Sequence, residues 1–143
     1  MPTTQAIPGY GTLLKMGDGG APETFSTIVE VTELNLPEIT LNTEDATSHD
    51  SGGWMEVIGT LLDGGEISGK INWRPTNVTH DETTGILSAI MNRTRKNWQM
   101  VLPTSLKTFA FGGLLTSFKG LAPVDGKLEA EFTIKTSGAV TIA

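Results

Sequence analysis

The stretch SFKGLAPVDGKLEAEFTIKTSG, residues 117–138, reads as a strand, a turn and a second strand. Leu128, Ala130, Phe132 and Ile134 recur at every second position, with Glu129, Glu131, Thr133 and Lys135 between them. Side chains two apart share a face of an extended chain, so the first set points inward and the second to water. Asp125-Gly126 stands at the reversal, where a tight turn needs φ > 0 and glycine supplies it without steric cost. Nothing in the stretch looks built for chemistry, and that raises the question of what such strands are for.

The same punctuation recurs outward along the chain. Asp-Gly pairs also occur at 18–19 and 63–64, and a hairpin is expected at each. In EISGKINWR (66–74), Ile67, Ile71 and Trp73 fall on one side, and Glu66, Ser68, Lys70, Asn72 and Arg74 on the other. Residues 25–32 alternate likewise, with Phe25, Thr27, Val29 and Val31 against Ser26, Ile28, Glu30 and Thr32, as in one continuous strand. Phe109, Phe111 and Phe118 are expected to join the core. One segment has a helical period: THDETTGILSAIMNRTR (79–95) is apolar at Ile86, Leu87, Ile90 and Met91, with Thr79 and Glu82 spaced as a capping box. Gly85 inside it costs about 1 kcal/mol relative to alanine, so an irregular first turn is expected. Two stretches fit no element: a flexible arm over residues 1–11, with Pro2, Pro8, Gly9 and Gly11, and a long polar loop, NTEDATSHDSGG, from residue 42. The expected fold is mainly β, a sandwich or open barrel flanked by one α-helix.

Composition bounds the rest. A chain of 143 residues, 38% hydrophobic and 18% charged, fits one domain over 1–143 with a modest core. With no cysteine, disulfides and thiolate-rich zinc sites are excluded, and stability must come from packing or association. The N-terminus has neither a basic start nor an apolar run, and no stretch supplies the roughly 20 apolar residues of a membrane span, so an intracellular product with no membrane partner is expected. Ten Lys plus Arg against sixteen Asp plus Glu give a net charge of −6, which argues against a protein that grips phosphates over a broad surface. The one basic cluster, RTRK at 93–96, is short for a nucleic-acid patch.

Candidate chemistry is sparse. Ser48, His49 and Asp50 supply the residue types of a serine hydrolase, but sequence neighbours splay apart where a triad must converge. Glu44, Asp45 and Asp50 lack the spacing that wraps oxygens around calcium. His80, Asp81 and Glu82 are better explained as helix-start residues than as metal ligands. The glycine runs at 9–11 and 17–20 do not continue into phosphate-binding forms, and the sequons at Asn77 and Asn92 matter only in a secreted protein. Trp54, Trp73 and Trp98 lie in or beside expected strands and are assigned to the core. No catalytic residue, metal or cofactor is expected.

A small β-domain has edge strands whose free N–H and C=O groups must be covered or paired with another chain. Contact between two different edges is head-to-tail; if the rotation closes it makes a ring, and stacked rings make a tube. Two stretches carry a resemblance to a family of this kind: ITLNTEDATSHDSGGWMEVIGTLLDGGEISGKINWRP (39–75) and FAFGGLLTSFKGLAPVDGKLEAEFTIKTSGAVTI (109–142). With a phenylalanine-rich strand, a Pro-x-Asp-Gly turn, a Phe-Thr-Ile-Lys strand and a Ser-Gly turn, the chain resembles the major tail tube proteins of long-tailed bacteriophages with non-contractile tails, in the superfamily that includes the phage lambda tail protein and the tube of type VI secretion.

The resemblance implies a hexameric ring whose subunits contribute strands to an inner barrel, with rings stacked around a tape measure protein and ended by tail terminator and tail-tip proteins. It places the chain in the virion after assembly in the host cytoplasm, with genomic DNA passing through the lumen without specific binding. It assigns residues 42–54 to contacts between rings, with Glu44, Asp45, Thr47, Ser48, His49, Asp50 and Trp54 as the contact residues, and gives further contacts to the arm and the C-terminal end. A conduit for DNA should not adsorb it, and Glu30, Glu38, Asp63 and Glu66 are the candidates for an acidic lumen wall. Alternatives are the inner tube of a contractile tail or type VI secretion system and, in another class, a carbohydrate-binding β-sandwich.

Overall fold

The computed structural model describes residues 3–143; Met1 and Pro2 of the expected arm lie outside them. The strands are β1 (Leu13–Gly17), β2 (Phe25–Thr27), β3 (Val31–Leu34), β4 (Thr40–Asp45), β5 (Val57–Asp63), β6 (Glu66–Asn72), β7 (Lys96–Val101), β8 (Thr108–Leu121), β9 (Glu129–Thr136) and β10 (Thr141–Ile142), with one α-helix, α1 (Ile86–Met91). Eight strands form one antiparallel sheet ordered β2-β1-β7-β8-β9-β6-β3, with β10 also pairing β8; β4 and β5 form a second sheet of their own.

The sheet order dictates the shape. β2 and β3 lie at opposite edges, yet only residues 28–30 join them, a span of at most roughly 14 Å. The sheet must therefore curl until its edges nearly meet, giving an open barrel. The link crosses the seam with a backbone bond to each side: Ile28 N–H donates to the Leu14 carbonyl, and Asn72 N–H to the Glu30 carbonyl, both at 2.9 Å. Glu30 takes φ +62° at this step, which breaks the continuous strand expected over 25–32 into β2 and β3. Local alternation carries no trace of a crossing imposed by the far strands.

Inward-pointing side chains fill the barrel. Leu14, Ile67, Ile71, Trp98, Met100, Phe111, Leu115, Ala130, Phe132 and Ile134 are buried, with β9 pairing β6 on one side and β8 on the other. Burying each large apolar side chain contributes about 1.5–3 kcal/mol. Gly69 faces Phe132 across the β6–β9 pair, and a Cβ there would stand 2.7 Å from the ring and from the Glu33 carbonyl oxygen; the missing side chain is the space the phenylalanine uses. Trp98 meets its polar requirement inside the core, its indole N–H donating to the Gly113 carbonyl at 3.2 Å. Phe109 and Phe118 pack partly buried against this core, and Phe118 meets Trp73 edge-on at 5.4 Å between ring centroids. Leu128, expected to point inward, lies just before β9 and is exposed.

The expected helix is much shorter than its sequence pattern. It starts at Ile86 with Gly85 as N-cap, so Thr79 and Glu82 form no capping box. Residues 74–85 are turns instead, organised by two side chains. Asp81 Oδ1 accepts from the N–H groups of Thr84 at 2.7 Å and Gly85 at 2.8 Å. His80 is fully buried, with Nδ1 accepting from Arg74 N–H at 3.0 Å and Nε2 lying 2.7 Å from the Val29 carbonyl. These bonds offer the backbone an alternative to helix, the recognised competition from short polar side chains. Of the three Asp-Gly turns, those at 18–19 and 125–126 lie between paired strands, β1–β2 and β8–β9. Asp63-Gly64 does not make a hairpin: it hands the chain from β5 in the small sheet to β6 in the large one.

Candidate functional site

The segment expected to be a polar loop is the apex and one side of a projecting β-hairpin. β4 pairs β5 from Thr40↔Asp63 to Asp45↔Val57, with a bulge between Leu41 and Thr43. Every residue of both strands is exposed. The decisive feature is the run VIGTLLD on β5. Neighbours along a strand point to opposite faces, and here Leu61 is 72% and Leu62 73% exposed. Val57 and Ile58, four residues back and on the far side of the bulge, repeat the arrangement. A hairpin apolar on one face would be a lid; one apolar on both faces is built to be covered on both. Within the subunit nothing among the described residues covers either.

The apex is held by its own hydrogen bonds. Glu56 N–H donates to Thr47 Oγ1 at 2.8 Å, Ala46 N–H to the Glu56 carbonyl at 2.8 Å, and Thr47 N–H to Asp45 Oδ1 at 2.9 Å. The Thr47 hydroxyl, followed by its backbone N–H, holds the Asp45 carboxyl below the usual carboxylate range. Ser48 N–H bonds Ser51 Oγ at 3.0 Å, while His49 and Asp50 lie in a single exposed 3-10 turn. The Ser48 hydroxyl lies 3.5 Å from Ser51 Oγ, and no group of acidic or histidine side chains among the described residues could hold a metal. Trp54, assigned to the core from sequence, is 79% exposed at the hairpin tip beside Met55 at 80%. Glu44, Asp45, Thr47, Ser48, His49, Asp50 and Trp54 thus stand on one arm. The residues that reasoning from sequence missed are Met55, Val57, Ile58, Leu61 and Leu62; their signal was an almost unbroken apolar run, which in a strand means two apolar faces.

The four acidic residues separate. Asp63 and Glu66 flank Gly64-Gly65 at the hairpin base, where the Glu38 carbonyl lies against Gly65. Asp63 also has Lys135 at 3.8 Å, which offsets part of its charge. Glu30 sits beyond the other end of β6, its carboxylate accepting from Asn72 Nδ2 at 3.0 Å; six residues of strand separate the two groups, roughly 20 Å. A different charged feature spans the sheet: Lys119, Glu131, Lys70 and Glu33 are cross-strand partners in succession over β8, β9, β6 and β3. Lys70 reaches Glu131 at 3.5 Å and Glu33 at 3.9 Å. Alternating signs in register make this row self-compensating.

A family model described as "Lambda phage tail tube protein, TTP" matches residues 11–143. No curated protein matches the chain. Among solved structures, the chain is similar to the tail of an empty GTA particle refined helically with C6 symmetry, at 21% identity and TM-score 0.77, covering 96% of this chain and 99% of that one. It is similar to a chain of the virion of the native gene transfer agent particle, at 20% identity and TM-score 0.74 over 96% and 99%. It is also similar to a chain of the extended sheath–tube complex of an extracellular contractile injection system, at 16% identity and TM-score 0.69 over 97% and 92%. At these identities the likeness is one of fold.

Proposed function

This chain belongs to the lambda phage tail tube protein family, and we propose that it is the repeating structural subunit of a phage-type tail tube in the virion, copies stacking as hexameric rings around a conduit for genomic DNA. The observation that carries the reading is the β4–β5 hairpin. Its two apolar faces stay in water in the lone subunit, so the folded state with its apolar surface covered is an assembly. Its residues 42–54, with Glu44, Asp45, Thr47, Ser48, His49, Asp50 and Trp54, form the contact between rings. The sixfold symmetry used for the similar gene transfer agent tail supports a ring of six. A tape measure protein within the lumen and terminator and tip proteins at the ends complete the set of partners.

For the lumen, Glu38, Asp63 and Glu66 are proposed as one acidic group and Glu30 as a separate one, repelling phosphates so that DNA slides without adsorbing. Reversing the charge at Glu30 and Glu38 together is expected to slow DNA ejection at low salt, measured by dye release from purified particles. The tube itself is tested by electron microscopy of concentrated protein, alone and with residues 44–52 shortened. The full chain is expected to form long tubes and the shortened one single rings or subunits; long tubes from the shortened chain would remove the hairpin from the contact. The inner tube of a contractile machine is the second reading, favoured by the likeness to a sheath–tube complex. A sheath protein bound to the outer tube surface in isolated particles would establish it.

A further inference from the structure

Where the barrel stays open, its seam is apolar. β3 pairs only β6, and β1 meets β2 only from Lys15 onward, so the outer edge of Leu13 and the free edge of β3 face each other unpaired. Between them runs a groove of about 680 Å³, lined by Leu13, Val31, Leu34, Leu36, Leu102 and Leu106 with part of the N-terminal arm. Leu13, Leu36 and Leu106 are 40%, 42% and 49% exposed. We propose that this groove receives the Trp54–Met55 tip of the hairpin of a second copy, and so is the acceptor for the contact between rings; the inference rests on the tube reading above.

Two observations commit the groove to that occupant. The tip carries the largest side chain among the exposed apolar residues, and a tryptophan buries 150–250 Å². The chain's own tip does not fill the groove: Trp54 and Met55 are not among its lining residues and stand 79% and 80% exposed. Donor and acceptor are therefore different surfaces of one chain. Such a pair joins copies head-to-tail and repeats without closing, as a growing stack requires. A seated tip buries a few hundred Å² at most, short of the ~800 Å² per partner of a stable pair. The contact is weak between two subunits and gains its strength from the many made at once by a ring.

The absence of cysteine from the chain makes a clean test possible. Full-length chain carrying Met55→Cys and Leu106→Cys, both exposed positions, is assembled into tubes and treated with a short bis-maleimide. A ladder of covalent multimers is expected from the double variant and none from either single variant. Tubes that form normally and yield no ladder would overturn the groove assignment while leaving the hairpin contact standing, whereas long tubes from the 44–52 shortened chain would overturn the tube reading of the hairpin itself. A ladder from Ala6→Cys with Leu106→Cys, in place of the first, would show that another copy's N-terminal arm fills the groove, and the inference would fall.

Discussion

His80 has no solvent exposure, and both ring nitrogens face backbone groups: Arg74 N–H on one side and the Val29 carbonyl on the other. It ties the turns before α1 to the link that crosses the barrel seam. Replacing it with alanine leaves a donor and an acceptor unpaired in a buried place, and His80→Ala is expected to destabilise the subunit by about 3 kcal/mol, read as a shifted urea midpoint. Asp81, one residue on, acts through charge. The backbone N–H of Thr84 does most to hold its carboxyl below the ordinary value of 3.8; burial opposes it, and the Gly85 N–H and the Thr84 hydroxyl add to the lowering. A carboxylate whose pKa is lower folded than unfolded contributes stability fully above the unfolded value and loses it as pH falls through the folded one. Thermal stability is therefore expected to decline as pH drops below about 4, and Asp81→Asn, which removes the titration, is expected to flatten that part of the decline; an unchanged profile would exclude Asp81.

At the scale of elements, the hairpin and the barrel answer to different surroundings. Since every residue of β4 and β5 is exposed in the subunit, substitutions there should leave its stability within about 0.5 kcal/mol while abolishing assembly. Ile58→Ser with Leu62→Ser, which the bulge leaves on opposite faces, is expected to give a subunit with an unchanged denaturation midpoint that sediments without polymer. If either single change alone blocks assembly as fully as both, the two faces are covered together. The same distinction explains what the sequence made legible. β6 and β9 could be read directly, because one face of each meets a core within the chain and the period of two records it. The length of α1 could not, since Asp81 and His80 divert the backbone upstream through bonds that leave the apolar stripe of 86–91 intact. Trp54 reads as core because an apolar residue beside a strand usually lies in one, yet no surface of the described residues covers it, and the surface proposed to cover it is on another copy. The acidic residues were grouped by sign alone, and only the topology shows Glu30 at the far end of β6 from Asp63 and Glu66.

For the whole molecule, the balance between charge and apolar contact sets how the polymer responds to salt. Each copy carries a formal charge of −6, so bringing copies together concentrates negative charge. The ion pairs of the described residues, Lys70 with Glu33 and Glu131, Lys127 with Glu129 and Lys135 with Asp63, lie within the subunit and do not offset that repulsion between copies. The surfaces proposed to meet, the hairpin and the seam groove, are mainly apolar. Raising ionic strength from 0.1 M to 1 M shortens the screening length from about 10 Å to about 3 Å and so removes most of the repulsion. It leaves the apolar contacts in place, and strongly hydrated salts such as sulfate strengthen them. The concentration at which polymer first appears in light scattering should therefore fall as sodium chloride is added, and fall further in sodium sulfate at matched ionic strength. A rise in that concentration with salt would mean that ion pairs between copies hold the polymer, and would move the contact from the apolar hairpin to charged surfaces such as the Lys119–Glu131–Lys70–Glu33 row.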